Sequence, residues 1–319
     1  MPSDKPLISV IVPVYNSMGV LETCLRSILA AMAHFGKAEL ILIDNGSTDG
    51  SYELLREGYG RDAKVLQQGS GTIASLRNRG AELADGQYLC FIDSDCVISA
   101  RHLHNALDVF NTVNPAATGC KYDLPPSPHW VEETWSQLHR RDKDGYVNYL
   151  NAGNFIIKKS VFDRIGGFDE RLPTDEDADL GGRMLAAGLS IYEAHDVSAT
   201  HLGNPKSVIG FFKKELWHGS GMFRMHSRPY LDKVFLATIL HVCLFILGII
   251  LALALKISLG WRIAAVFFAL LPVPAATLCF RFGKSRKVYR PLRALLLYCV
   301  FFAAKGVAMI REFFRALGR

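Results

Sequence analysis

Two short acidic segments hold the side chains best suited to chemistry. Asp93 and Asp95 flank Ser94 directly after an apolar run. Two carboxylates two residues apart at a turn can face one cavity, where they suit a hard divalent cation. Residues 175–179 hold four acids in five positions. Repulsion among these acids raises the proton affinity of the carboxylates, so that one of them can act as a general base.

Both segments also have simpler explanations. An acid-x-acid triplet occurs by chance in many loops, and acids at 175–177 are favoured at a helix N-terminus by the helix dipole. The dipole accounts for only one or two of the four acids. Gly69–Ala74 (GSGTIA) matches a dinucleotide-binding fingerprint. It follows the third predicted strand rather than the first and leaves the acidic segments unused, which argues against a dehydrogenase.

The elements that position these residues alternate between strands and helices. Apolar, β-branched runs predict strands at 7–14, 39–43, 64–67 and 87–92, and helical spacing predicts helices at 17–35 and 73–84. Ser47 and Asp49 can cap a further helix that follows them and ends near residue 59. This alternation predicts an α/β fold with a mainly parallel sheet covered on both faces. Ligands of such sheets bind beyond the carboxyl ends of the strands. The polar residues at those ends are Tyr15, Asn16, Asp44, Asp93 and Asp95.

After Asp95 the pattern is weaker. It predicts helices at 130–141 and 176–187 and strands at 151–157 and 190–195. Seven cysteines without a CxxC pair indicate neither a zinc ribbon nor a redox dithiol.

The C-terminal third differs in charge and hydropathy. Residues 1–205 carry 27 acidic and 18 basic side chains, whereas residues 206–319 carry 3 acidic and 18 basic ones. Residues 234–255 and 261–280 are apolar and long enough to cross a hydrocarbon core of about 30 Å. Residues 294–310 are a borderline third span or an interfacial helix. The expected division is therefore a catalytic domain at 1–205, a basic interfacial linker at 206–233 and a membrane domain at 234–319.

The basic residues indicate how the chain is oriented. They are concentrated before the first apolar run and after the second, so the positive-inside rule places residues 1–233 and 281–293 in the cytoplasm. The same rule places the C-terminal arginines in the cytoplasm, namely Arg311, Arg315 and Arg319. With both ends of the chain on one side, we expect two spans plus an interfacial helix rather than three spans. Because these charges flank apolar runs, they indicate membrane lipids rather than nucleic acid as partners.

Six segments together resemble a family 2 glycosyltransferase with the GT-A fold. They span about residues 7–204, and jointly they are specific although each alone is weak. In chain order they are Ile8–Asn16 (ISVIVPVYN), Leu42–Asp49 (LIDNGSTD), Leu76–Gly80 (LRNRG), Tyr88–Asp95 (YLCFIDSD), Asn151–Glu170 (NAGNFIIKKSVFDRIGGFDE) and Glu176–Met184 (EDADLGGRM).

The resemblance implies a role for each matching residue. Asp95 would hold a Mn²⁺ or Mg²⁺ ion that bridges the diphosphate, and His201 matches a histidine that often completes the metal site. Glu176 and Asp177 correspond to the family's acidic pair, with Asp177 as the general base. The nucleotide-sugar would be bound by Pro13, Tyr15, Asn16, Asp44, Arg77, Asp93 and Asn154.

The implied activity is the inverting transfer of one sugar from a nucleotide-sugar, with a UDP-sugar as the first expectation and GDP- and dTDP-sugars open. The acceptor would be lipid-linked, either a polyprenyl-linked glycan or a polyprenyl phosphate, in cell-surface polysaccharide or glycoconjugate synthesis. The expected location is the inner or plasma membrane, with several spans and a cytoplasmic catalytic domain.

Two other functional interpretations remain open. Processive polysaccharide synthases of this family carry Gln-x-x-Arg-Trp after the acidic pair, whereas the nearest stretch here, Lys213–Gly219, keeps Trp217 but lacks the Gln and Arg. This departure argues for transfer of a single sugar. The other alternative is a catalytically inactive scaffold anchored in the membrane, which the intact Asp93, Asp95 and Asp177 argue against.

Overall fold

The computed structural model describes residues 5–139, 143–220, 233–255, 258–285 and 290–317. The chain divides into two units. The first consists of Met1–Pro126 and Arg141–Asn204, and the second of Ser127–Arg140 and Pro205–Arg319. Residues 127–140, which the sequence places in the catalytic domain, thus belong with the C-terminal helices.

The first half of the first unit is a parallel β/α array, which confirms the predicted alternation. Its elements are β1 (Ile8–Val14), α1 (Met18–Phe35), β2 (Ala38–Asp44), α2 (Ser51–Leu54, continued by a π turn at Leu55–Tyr59), β3 (Lys64–Gln67), α3 (Ile73–Glu82) and β4 (Tyr88–Ile92). The strands lie in the order β3-β2-β1-β4, all parallel.

The second half consists mostly of strands too short to predict. Its elements are β5 (Cys96–Ile98), α4 (His102–Thr112), β6 (Ala117–Gly119), β7 (Gly145–Val147), β8 (Asn154–Lys158), α6 (Lys159–Ile165), α7 (Glu176–Ala186), β9 (Ile191–Glu193) and β10 (Ala199–His201); α5 (Trp130–His139), between β6 and β7, belongs to the second unit. The sheet continues from β4 as β8-β6-β9-β7, with β8 antiparallel to both of its neighbours. A separate two-stranded sheet pairs β10 with β5 in antiparallel register.

The central strand β1 is buried along its whole length because helices cover both faces of the sheet. Val10 and Val12 point into the cluster that contains Leu21 and Leu25 of α1. Ile11 points the other way, into the cluster that contains Phe91 and the α7 residues Leu180 and Met184. This alternation is why the run reads as continuously apolar.

The second unit is helical. Besides α5 it contains α8 (Val208–His218), α9 (Lys233–Ala254), α10 (Leu259–Leu270), α11 (Pro272–Ser285) and α12 (Pro291–Leu317). Three segments of the described ranges are long and apolar enough to cross a membrane: Lys233–Ala254, Leu259–Gly283 and Pro291–Arg315. The second is interrupted at Leu271, where Pro272 starts α11, the position at which proline is tolerated. The third is longer than the 294–310 stretch predicted from the sequence.

Candidate active site

A buried arginine joins the two acidic segments. Arg77 on α3 is only 3% exposed. Its Nη2 donates to Asp93 Oδ1 at 2.6 Å, and its Nη1 donates to Glu176 Oε1. Burial alone would lower the pKa of Arg77, but the two carboxylates outweigh it and hold the pKa above its usual value. The end of β4 and the first turn of α7 are therefore held together by one guanidinium.

The second oxygen of Asp93 has its own partner. Tyr122, which the sequence did not single out, donates from its hydroxyl to Asp93 Oδ2 at 3.2 Å. Gly153 packs against this pair so closely that a Cβ there would overlap both Asp93 Oδ2 and Tyr122 Oη. Asp93 is thus fixed from three sides. A direct contact between Asp93 and a nucleotide stays a prediction, as it does for Arg77.

The four acids at 175–179 have different environments. Glu176 pairs with Arg77, and Asp179 pairs with Arg183 Nε at 2.8 Å on the same helix face. Asp177 is partly exposed and makes no ion pair with any residue that the structure describes; its Oδ1 accepts only from the adjacent Ala178 amide at 2.7 Å. Burial by the surrounding chain, together with the neighbouring Glu176 and Asp175, raises the pKa of Asp177 to about 8. A carboxylate with such a pKa is matched to proton abstraction near neutral pH.

Asp95 and His201 are brought together by the small sheet. Antiparallel pairing of β10 with β5 sets His201 opposite Cys96, and His201 Nε2 lies 3.5 Å from Asp95 Oδ2. One ligand atom from each of these three residues lies within 4.8 Å of the others. The Tyr122 ring packs on the His201 ring with their centroids 4.6 Å apart. The two predicted metal ligands are therefore neighbours.

This group fits a divalent cation. Mn²⁺ and Mg²⁺ accept carboxylate oxygen, and Mn²⁺ also accepts imidazole nitrogen. Room for the carboxylate is provided by Gly203, where a Cβ would overlap Asp95 Oδ2. Cys96 is fully buried, which raises the pKa of its thiol, so the ligand set rests on Asp95 and His201.

A third polar group lies at the end of β2. The Asp44 side chain is fully buried, and its Oδ2 accepts from the amides of Gly46 and Ser47 at 2.9 and 3.0 Å and from Gln67 Nε2 at 3.1 Å. Its Oδ1 has no hydrogen-bond partner among the described residues. A buried acceptor without a donor costs free energy, so this oxygen is a candidate to receive an N–H or O–H from a ligand.

The loop after β1 lies beside this acceptor. Pro13 is buried in the strand, whereas Tyr15 is 59% exposed. Asn16 adopts a left-handed conformation, with φ of 47°, and its Oδ1 accepts from the Thr48 amide at 2.9 Å. The Asn16 side chain thus connects the β1 loop to the β2 loop and leaves Tyr15 exposed. A contact between Tyr15 and a nucleotide stays a prediction.

Asn154 is placed differently from the other candidates. Its side chain is fully buried at the start of β8, and its Nδ2 donates to the carbonyls of Cys120 and Val197 at 3.1 and 2.7 Å. The Asn154 side chain therefore holds two backbone carbonyls near the site. A contact with the donor sugar stays a prediction.

Comparison with known proteins identifies the family of the chain. Residues 9–166 match the family described as Glycosyl transferase family 2. The chain is a family 2 glycosyltransferase. A similar curated protein is the glycosyltransferase AglE of Haloferax volcanii, 25% identical over 254 residues, which cover 77% of this chain and 82% of AglE.

Solved structures place this glycosyltransferase in the GT-A fold. The mannosyltransferase PcManGT from Pyrobaculum calidifontis, solved in complex with GDP-Man and Mn²⁺, superimposes with a TM-score of 0.61 at 19% identity, over 96% of this chain and 89% of that one. Residues 1–349 of S. aureus TarS give a TM-score of 0.50 at 20% identity, over 98% and 92% of the two chains. At these identities the likeness establishes the fold, as predicted from the sequence.

Replacing Arg77 with lysine in this glycosyltransferase is expected to lower the free energy of unfolding by about 1–3 kcal/mol, because a lysine lacks the fork that serves two carboxylates and leaves one buried acid unsatisfied. The measurement is calorimetric unfolding of the purified full chain. Arg79→Lys is the matched control, since Arg79 lies on the same helix in an exposed pair with Glu82. Equal unfolding temperatures for both variants and the parent chain would contradict the role of Arg77.

The raised pKa of Asp177 predicts a pH-dependent stability. Between about pH 4 and pH 8 the folded protein keeps a proton on Asp177 that the unfolded chain has released, so stability falls as pH rises through this window. One proton contributes a slope of up to about 1.4 kcal/mol per pH unit. Asp177→Asn should flatten the dependence of the unfolding temperature on pH, whereas Asp108→Asn, at an exposed position of α4, should leave it unchanged. An unchanged slope in Asp177→Asn would argue against a protonated Asp177 carboxyl in the folded protein.

Proposed function

We propose that this glycosyltransferase moves one sugar from a nucleotide-sugar to a lipid-linked acceptor, with inversion at the anomeric carbon and with a divalent metal. The observation that carries the proposal is the Arg77 bridge. Arg77 pairs with both Asp93 and Glu176, and it therefore holds the turn that contains Asp95 close to the start of the helix that contains Asp177. A metal-binding carboxylate and a proton-accepting carboxylate on one site are the two parts that an inverting transfer needs.

The chain's own residues then have separate tasks. Asp44 Oδ1 accepts a hydrogen bond from the nucleotide base, and the exposed Tyr15 packs against it. Asp95 and His201 hold the cation, which when bound neutralises negative charge on the diphosphate. Asp177 accepts the proton of the acceptor hydroxyl while the oxygen of that hydroxyl forms a bond to the anomeric carbon. The bond from that carbon to the phosphate oxygen breaks, and the electron pair leaves with the nucleoside diphosphate.

A membrane-bound acceptor is supported by the C-terminal helices. Three segments are apolar enough to cross a bilayer. By the positive-inside rule, the basic residues that flank these segments and the catalytic unit are expected on the same side of the membrane. We infer a cytoplasmic catalytic unit that meets its acceptor at the membrane surface. UDP-sugars remain the first candidates for the donor; GDP-sugars gain support from the GDP-Man complex of PcManGT.

The central experiment incubates membranes holding the full chain with radiolabelled UDP-, GDP- and dTDP-sugars and Mn²⁺ or Mg²⁺, and then partitions the label between organic and aqueous phases. Label in the organic phase is expected, reduced about 10²–10⁴-fold in Asp177→Asn, while nucleotide binding by that variant stays near the parental value. Asp108→Asn is the control and should keep full transfer.

Other outcomes of this experiment decide against the proposal in specific ways. Label in a large water-soluble polymer would establish a processive synthase despite the missing Gln-x-x-Arg-Trp pattern. Neither transfer nor donor hydrolysis with any donor and metal would establish an inactive scaffold. Organic-phase label that persists in Asp177→Asn would remove Asp177 as the base.

Metal dependence is tested separately. Excess chelator should abolish transfer, and added Mn²⁺ or Mg²⁺ should restore it. His201→Gln should raise the Mn²⁺ concentration needed for half-saturation by about tenfold or more. Mn²⁺ binding followed by electron paramagnetic resonance gives a readout independent of activity, with His195→Gln, outside the proposed ligand set, as the control. Full turnover in chelator, or unchanged Mn²⁺ affinity in His201→Gln, would reject the assignment.

A further inference from the structure

The segment between β7 and β8 is held against α7 at one end and against Asp93 at the other. At the α7 end, a Cβ on Gly181 would lie 2.5 Å from Tyr149 Cβ and 2.6 Å from the Asn148 carbonyl oxygen. At the other end, a Cβ on Gly153 would overlap the Asp93 carboxylate. Four residues reach at most about 14 Å, so Tyr149 lies within that distance of Gly153 and the Asp93 contact.

Side chains in this segment alternate between the core and the outside. Leu150 and Ala152 are 2% and 3% exposed and belong to the apolar cluster that contains Leu180 of α7. Tyr149, in contrast, is 40% exposed. Because its neighbour is fixed in a close-packed core, the backbone of Tyr149 is fixed as well. The catalytic unit therefore presents an aromatic side chain from a defined position.

Tyr149 is anchored within one helical turn of Asp177. Gly181 follows Asp177 by four residues, which puts the two on the same side of α7 with their Cα atoms about 6 Å apart. Tyr149 Cβ lies 2.5 Å from the position that a Cβ on Gly181 would take. The segment that carries Tyr149 is thus a direct neighbour of the turn that carries the proposed base.

Gly181 is what permits this close approach. Glycine in a helix interior destabilises the helix relative to alanine, so its presence inside α7 needs a reason. A side chain at this position would displace the backbone of the neighbouring segment, because its Cβ would lie only 3.1 Å from Tyr149 Cα. The sequence of α7 therefore provides the space in which residues 148 and 149 approach the helix.

The electrostatic environment of Asp177 bears on the nucleophile of the acceptor. Burial, and then the charges of Glu176 and Asp175, raise the pKa of Asp177, which shows that negative charge is disfavoured there. A phosphate monoester has a second pKa of about 6, so it brings its own negative charge and needs no base. A sugar hydroxyl is neutral and keeps its proton until a base removes it. The environment of Asp177 therefore favours a hydroxyl nucleophile over a phosphate.

A partly exposed tyrosine is suited to hold the ring that carries such a hydroxyl. One face of a pyranose ring consists largely of C–H groups, which pack on an aromatic ring by dispersion and by exclusion of water. The phenol hydroxyl can also form a hydrogen bond with a polar group of the same ligand. Tyr149 thus has both the chemistry and the position to orient a sugar beside Asp177.

We propose that Tyr149 forms an acceptor subsite, on which a sugar ring of the acceptor stacks so that one of its hydroxyls meets Asp177. The acceptor is then a glycan rather than a polyprenyl phosphate, and the new linkage joins two sugars. The hydroxyl oxygen bonds to the anomeric carbon of the donor, its proton passes to Asp177, and the nucleoside diphosphate leaves with the electron pair of the broken bond. This inference rests on the proposed function, since it takes Asp177 as the base of the transfer.

The class of acceptor is identified from the labelled product in the organic phase. Mild acid releases the carbohydrate from its lipid phosphate, and borohydride then reduces the sugar at the released end. A glycan acceptor gives a labelled oligosaccharide whose labelled sugar, at the other end, is recovered as an aldose after complete hydrolysis. A polyprenyl phosphate acceptor gives a labelled monosaccharide that is recovered as an alditol, and this result overturns the proposal.

The subsite itself is tested with the purified full chain, the labelled donor and a dilution series of the lipid extract from the same membranes. Tyr149→Ala should raise the extract concentration needed for half-maximal transfer by about tenfold or more, while the KM for the nucleotide-sugar stays near the parental value. Tyr149→Phe keeps the aromatic ring and should retain most of the parental affinity for the extract.

Tyr146→Ala is the matched control. Tyr146 is 62% exposed on β7, but its ring packs on Tyr192 with their centroids 5.3 Å apart, so its removal should leave the half-maximal extract concentration unchanged. Equal half-maximal concentrations for Tyr149→Ala and the parent chain would overturn the subsite. If Tyr149→Ala weakens donor and acceptor equally, the ring has only a structural role, and the proposal also fails.

Failure of the proposed function gives a different result. In that case the parent chain itself puts no label into the organic phase with any donor. Failure of this inference alone leaves the parent chain active and Asp177→Asn inactive, with a labelled monosaccharide as the released product or with unchanged acceptor use by Tyr149→Ala.

Discussion

The catalytic unit depends on one buried guanidinium placed between two carboxylates that are 83 residues apart in the chain. Without Arg77, Asp93 and Glu176 would repel each other in a low-dielectric setting. With it, each acidic segment contributes one residue to the architecture and leaves its neighbour, Asp95 or Asp177, partly exposed. The site is thereby arranged before any ligand arrives, since the groups that fix it are already satisfied by protein.

The remaining parts of the site follow from the sheet. Parallel strands β1, β2 and β4 end at one edge, and each delivers a polar residue there because the strand interior must be apolar on both faces. The antiparallel pair β5 and β10 adds what this edge lacks, an imidazole beside Asp95. Tyr122 links the two regions, since its hydroxyl contacts Asp93 while its ring contacts His201.

The sequence predicts a strand or helix where that element is long enough to show its apolar periodicity. The apolar pattern predicts the strands of four to seven residues and the helices α1 and α3 up to β4, because buried β/α units repeat this pattern, and capping residues predict α2 together with its π turn. Strands β5, β6 and β10 have three residues each, which is too short to show an alternation of apolar and polar residues. Composition alone reveals the two acidic segments, but it does not reveal the ion pairs between them, because Arg77 and Glu176 meet only through the tertiary fold. Tyr122 and Gly203 gave no local signal at all.

The excursion of the chain through α5 has a consequence for how the protein can be divided. The polypeptide leaves the first unit after Pro126, contributes Trp135 to an aromatic cluster with Phe211 and Phe301, and then returns to form β7. A truncation at the end of the first unit, after Asn204, would therefore keep α5 but remove the partners that cover its apolar side. The catalytic half is not a detachable module, and a soluble version would need α5 redesigned or replaced by a short loop.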